Sequence, residues 1–186
     1  MAVTSIANKL KSGSLLVGNA YYVPPSFESI ATLTGNGSST SLTFTSIPST
    51  FTHLQIRAFG RNSSGYIRFN SDTGSNYARH RVRGDGSNVT VAASVSQPEL
   101  FGFELPNSGD PASIYGVGVL DIHDYASTTK YKTIRSLTGV DFNGSGNVYL
   151  FSGLWMNTVA ISSITIYSPA AAPTTDTTFA LYGIKG

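Results

Sequence analysis

The stretch His53-Leu54-Gln55-Ile56-Arg57-Ala58-Phe59 sets Leu54, Ile56 and Ala58 against His53, Gln55 and Arg57. Successive side chains of a strand point to opposite faces, so this period of two turns one face inward and leaves the other to solvent or a partner. Val89 and Val91 repeat the pattern against Asn88 and Thr90. In Ser113 to His123 both faces are largely apolar, with Ile114, Leu120 and Ile122 on one and Tyr115, Val117 and Val119 on the other. That composition predicts a central strand covered on both sides. Gly116 and Gly118 within it predict a bulge or a close backbone approach.

Strand signals of this kind recur from Phe27 to the C-terminus, and no window of about a dozen residues holds the 3.6 period of an amphipathic helix. The predicted strands are Phe27 to Leu33, Ser41 to Thr45, His53 to Phe59, Tyr66 to Asn70, Tyr77 to Arg83, Val89 to Ala93, Leu100 to Leu105, Ser113 to His123, Lys130 to Leu137, Asn147 to Phe151, Ile161 to Tyr167 and Thr178 to Ile184. Between them lie Asn36-Gly37, Gly84-Asp85-Gly86, Asn107-Ser108-Gly109-Asp110 and Asn143-Gly144-Ser145-Gly146, residues that tolerate positive φ. Pro169 to Pro173 interrupts the pattern before the last strand. The expected fold class is all-β: an antiparallel β-sandwich, as a jelly roll or another Greek key, with residues 27 to 186 forming one domain.

Residues 1 to 26 read differently, as an extended N-terminal arm. Short apolar pieces are separated by Ser, Gly and Lys until Pro24-Pro25, which favours an extended exit. Residues 4 to 11 could form a helical turn or two. Leu15, Leu16, Val17, Tyr21 and Tyr22 are the candidate assembly contacts, and the arm is either a disordered leader or a segment that docks on a neighbour. The N-terminus lacks the continuous apolar run of a signal peptide and no stretch reaches the roughly 18 apolar residues of a membrane span, so a soluble, unexported protein is expected.

The 186 residues are 40% hydrophobic and only 12% charged, about half the usual charged fraction. A surface built of neutral polar residues suits sheets and packed interfaces more than exposed helices. Cysteine is absent, which excludes disulfides, thiolate metal sites and a cysteine nucleophile. The net charge of +2 is too small to argue for a nucleic-acid partner, yet half of the twelve Lys and Arg residues are Arg57, Arg61, Arg68, Arg79, Arg81 and Arg83, opposed only by Asp72 within that span. These arginines either stand on outward strand faces and meet carboxylates from elsewhere or from a neighbouring subunit, or form a basic face for a polyanion.

Little in the chain points to catalysis. His53, His80 and His123 fall in separate predicted strands without zinc-enzyme spacing. Asp121 and His123 project to the same strand face, so the carboxylate could orient the imidazole, but no Gly-x-Ser-x-Gly elbow supplies a nucleophile. Asn70 to Asn76 carries oxygen ligands around Gly74 yet lacks the bidentate glutamate of a calcium loop, and reads as an Asx-type turn. No catalytic residue, cofactor or metal is expected. The aromatics, among them Tyr66, Tyr77, Phe101, Phe103, Tyr125, Tyr131, Tyr149, Phe151 and Trp155, are numerous enough that some could line a carbohydrate or protein interface, although core packing is the default expectation for each taken singly.

Several separated segments, in order, carry a family resemblance: Ser12 to Leu16, Ser26 to Ala31, Phe44 to Thr50, His53 to Arg57, Arg68 to Tyr77, Asp121 to Tyr125 and Phe179 to Gly186. Together they resemble virion structural proteins of tailed bacteriophages, many from marine and other aquatic viruses. The resemblance covers most of the chain and implies a virion location, assembly in the host cytoplasm and a jelly-roll-like fold, and it supplies no catalytic residues. The expected function is a structural virion component, foremost a capsid decoration or cement protein. Its partners would be other virion proteins, the major capsid protein or neck and tail proteins, and it would be a homo-oligomer with a trimer as the expected number. A neck, tail-fibre or spike component and a carbohydrate-binding module for host attachment are the alternatives.

Overall fold

The computed structural model describes residues 15–17, 20–22, 26–62 and 64–186. The suggested helical turns at 4 to 11 and the Pro24-Pro25 exit lie outside them. Leu15–Val17 (β1) and Ala20–Tyr22 (β2) pair antiparallel, with Leu15 opposite Tyr22 and Leu16 opposite Tyr21. All five candidate assembly residues thus sit on one short hairpin.

The remaining strands are β3 (Phe27–Thr34), β4 (Ser41–Phe44), β5 (His53–Gly60), β6 (Ser64–Phe69), β7 (Tyr77–Gly84), β8 (Val89–Gln97), β9 (Leu100–Glu104), β10 (Gly116–Ile122), β11 (Lys132–Asp141), β12 (Gly146–Trp155), β13 (Ile164–Tyr167) and β14 (Thr178–Ile184). Each coincides with one strand predicted from alternation, and no helix occurs among the described residues.

Eight strands form one antiparallel sheet in the order β3-β14-β5-β10-β11-β12-β7-β8, and four form another in the order β4-β13-β6-β9. If the hairpins β7-β8 and β11-β12 are set aside, the eight remaining strands, numbered along the chain, lie as 1-8-3-6 in one sheet and 2-7-4-5 in the other. That is the jelly-roll order of two interleaved Greek keys. Both extra hairpins join the large sheet beyond β10, so it is twice as wide as the sheet it packs against.

The core lies between the sheets. The large sheet contributes Leu54, Ile56, Leu120, Ile122, Ile134, Phe179 and Leu181, and the small one Phe44, Ile67, Phe69, Leu100, Phe103, Ile164 and Ile166. Every one of these is almost fully removed from solvent, a contribution of about 1.5–3 kcal/mol for each large side chain. At Gly118 a Cβ would come within 2.6 Å of the Phe103 ring. The glycine there serves close approach of the layers, and β10 runs without a bulge along both neighbours.

β9 is an edge strand of the small sheet, and it crosses the large one over β10, β11, β12 and β7. Its backbone is sealed from that side. Ser136 Oγ donates to the Gly102 carbonyl, Thr138 Oγ1 donates to the Glu104 carbonyl at 2.8 Å, and the Glu104 N–H donates to Thr138 Oγ1 at 3.2 Å. Both hydroxyl residues are buried, and these bonds explain why polar side chains stand on the core face of β11.

Two expectations are corrected. Only one face of β10 is covered: Val117 and Val119 stay 56% and 38% exposed, because among the described residues no third layer packs on the outer side of the large sheet. Val89 and Val91 are likewise open, at 74% and 75%, since they lie on that same outer face, paired with Gly84 and Val82.

Candidate assembly surface

The outer face of the large sheet follows from register. Arg57, Val119, Leu137, Leu150, Val82 and Val91 are paired neighbours across β5, β10, β11, β12, β7 and β8. The next rung is Phe59, Val117, Gly139, Val148, Gly84 and Val89. Six strands at about 4.8 Å spacing make these rungs about 24 Å long. Among the described residues, thirteen large hydrophobic side chains are exposed, and ten of them (these nine non-polar members and Val95) belong to this belt. Scattered surface valines need no explanation, but a contiguous belt of this kind marks an interaction surface.

The belt ends on β8, whose nine residues Val89 to Gln97 carry no charge and no proline. An edge strand without such protection is a template for pairing with another strand. The opposite edge, β3, is different: Glu28 there accepts an ion pair from Lys185 at 2.6 Å.

On one side the belt meets a polar rung, Gln55, Asp121, Arg135, Ser152 and His80. Asp121 accepts from Gln55 Nε2 and from Arg135 Nη2, both at 2.9 Å. Burial would raise its carboxyl, but these bonds and the Arg135 charge outweigh it and hold the group below its ordinary range. Asp121 and His123 do share a face, yet the imidazole of His123 packs edge-on against His53 at 4.9 Å, and His53 Nδ1 accepts the Asp124 N–H at 3.1 Å. Asp121 is therefore engaged by Gln55 and Arg135, and the cluster reads as a closed polar network.

The arginines divide into separate roles. Arg61 is buried and donates to the carbonyls of Pro111 (2.8 Å), Asn107 (3.1 Å) and Asp110 (2.7 Å), so it clamps that loop. Arg68 pairs with Glu99 at 2.9 Å. Arg57 lies over the rings of Phe27 and Tyr182. Arg79, Arg81 and Arg83 stand together on β7, and Asp72, the one acid of that span, pairs with none of them.

Asp72 instead holds the turn that follows β6. Its Oδ1 accepts the Gly74 N–H at 2.8 Å and its Oδ2 accepts the Trp155 indole N–H at 2.7 Å. The Asx turn is as expected, and it occupies the carboxylate that a calcium loop would offer. Among the described residues no cluster of His and acidic side chains is placed to hold a metal. Trp155 is buried against Phe69 and Tyr77, which removes it from any surface role. Tyr77, Phe103 and Tyr125 are buried too, whereas Tyr131 is exposed and Tyr66 and Phe101 are half-buried at the small sheet's edge.

Compared with protein-family models, curated proteins and solved structures, the chain matches none of them.

Proposed function

We propose that this chain is a structural component of a tailed-phage virion, a capsid decoration protein that assembles through the outer face of its large sheet. The observation that carries the reading is the uncovered apolar belt, which runs without a break to an uncharged edge strand. The low charge of the chain, the jelly-roll order and the resemblance of separated segments to virion structural proteins support it.

The partner at the end of the belt is a second copy of the chain, joined edge to edge along β8. Along β8 the outward residues Val89, Val91, Ala93 and Val95 read nearly alike in either direction, so an antiparallel copy centred on Ala93 sets Val91 beside Val95 and continues the belt across the junction. Such isologous pairing yields a dimer. A trimer needs the belt to meet a different patch of the neighbour, so the mass of the assembly in solution distinguishes the two.

Attachment to a shell falls to the segment bearing Leu15, Leu16, Val17, Tyr21 and Tyr22. The test is quantitative mass spectrometry and image reconstruction of intact particles. Decoration gives a high copy number that matches the shell lattice and is lost when residues 1–26 are deleted. A few copies at one vertex identify a neck or tail component instead.

A further inference from the structure

Where the small sheet stops at β9, the inner face of the large sheet continues over β7 and β8, and an arginine row stands on it. Register places Arg79 beside Gly153, Arg81 beside Phe151 and Arg83 beside Tyr149; these three β12 residues lie on the inner face. The opposite wall is the edge of the small sheet. Tyr66 and Phe101 meet there edge-to-face at 5.0 Å, and Phe101 reaches Phe151 at 4.9 Å. Between the walls runs a groove of about 190 Å³ lined by Tyr66, Arg79, Arg81, Ser94, Phe101 and Phe151.

Of the three arginines of this row, only Arg83 has, among the described residues, a charged partner within 4.0 Å. Arg83 is held by Asn147 Oδ1 at 2.6 Å and approaches Asp85 at 4.0 Å. Among the described residues neither Arg79 nor Arg81 makes an ion pair, and Nη1 of Arg79 is buried without an acceptor. Its guanidinium lies 5.9 Å from the Tyr66 ring centre, which orients the planar group and leaves its hydrogen-bonding capacity unused. Glu104, the nearby carboxyl, pairs with none of the three, and burial pushes its carboxyl above the ordinary range. A charged donor removed from water calls for an acceptor.

We infer that this groove binds a carboxylate-bearing sugar, a single uronate-type ring of an acidic glycan. A guanidinium presents two parallel N–H bonds that match a carboxylate. The rings of Tyr66 and Phe101 offer amphipathic surface to the C–H face of a sugar, and Ser94 offers a hydroxyl to its ring oxygens. The groove is smaller than the usual 300–1,000 Å³ ligand site, which limits the occupant to one ring. Arg79 and Arg81 are two residues apart and so about 7 Å apart along the strand. They can neutralise no more than two phosphates, too few to hold a nucleic-acid strand at moderate salt.

The experiment is calorimetric titration of the full chain with an oligogalacturonate, a neutral galactan oligomer of equal length and an oligothymidylate. Binding of the oligogalacturonate alone is expected, at least tenfold weaker in Arg81→Gln and in Arg79→Gln and unchanged in Arg57→Gln on the outer face. Arg81 is exposed, so Arg81→Gln keeps the test valid where Arg79→Gln fails to fold. No heat with the acidic sugar, equal binding of the neutral one, tighter binding of the oligothymidylate, or wild-type affinity in Arg81→Gln each overturns the assignment. Particle incorporation is read separately, so this site and the virion role stand or fall independently.

Discussion

The indole N–H of Trp155 donates to Asp72 Oδ2 at 2.7 Å, which ties the end of β12 to the turn between β6 and β7. The same carboxylate accepts Asn76 Nδ2 and the Gly74 N–H. One side chain thereby fixes both the turn and the position of the largest ring in the core.

Asp72 accordingly sets an acid limit on stability. Burial raises its carboxyl, but the bonds from Trp155, Asn76 and Gly74 prevail and hold it below its ordinary value of 3.8. Its contribution is complete above that value and is lost as pH falls through the lower folded-state value. Asp72→Asn is expected to cost about 1.5–3 kcal/mol at pH 7, and the gap to wild type in urea unfolding narrows at pH 3. An equal gap at both values rules this account out.

Tyr77 sets the alkaline limit. Burial pushes its phenol up to about 12, against roughly 10 in an unfolded chain. This stabilisation is present in full below pH 10 and disappears as pH rises through 12, a loss of about 2–3 kcal/mol. In Tyr77→Phe the decline between those values becomes shallower, as denaturant midpoints measured along the pH range show. Tyr167, raised by its own burial and by Glu99, and Tyr125 and Tyr149, raised by burial, supply the slope that remains.

Lys132 is completely buried, and its ammonium donates to the carbonyls of Ser127 (2.7 Å), Lys130 (2.9 Å) and Thr158 (3.1 Å). Three donors meet three acceptors, which is how a cation persists there although burial draws its pKa down. Lys132→Met keeps the stem and orphans all three carbonyls. A destabilisation of about 2–4 kcal/mol is expected, with earlier hydrogen exchange across residues 127–130. Unchanged stability would falsify the clamp.

Val119 and Leu120 are neighbours in sequence on opposite faces of β10, so truncation separates core from belt. Leu120→Ala is expected to cost about 2–5 kcal/mol. Val119→Ala alters monomer stability by less than about 1 kcal/mol. Val91→Lys and Leu150→Lys are expected to leave the melting curve of the monomer nearly unchanged and, under the proposed assembly, to abolish self-association in light scattering and incorporation into particles.

Much of this was legible in the sequence, because alternation reports which residues share a face. It located each of the twelve strands of the two sheets, but Arg79, Arg81 and Arg83, expected on an outward face, stand on the inner face of β7 beside Gly153, Phe151 and Tyr149. Alternation cannot report whether a face is covered. Val117, Val119, Val89 and Val91 therefore read as inward-facing, although all four lie on the outer face of the large sheet, where none of the described residues covers them. Alternation also cannot name the partners of Arg61 and Trp155. Their acceptors, the carbonyls of residues 107–111 and the Asp72 carboxylate, lie 46 to 50 and 83 residues away along the chain, and no local pattern announces them.

The hydroxyls of Ser136 and Thr138 that close the flank of β9 have a consequence for how copies of this chain can add up. β4 is only four residues long and β3 bears a charge, so among the described residues β8 is the one sheet margin left unprotected, and the proposed assembly would use it alone. A body with a single sticky margin has a valency of one: two molecules satisfy each other and growth stops, where a second open margin would have propagated a fibre.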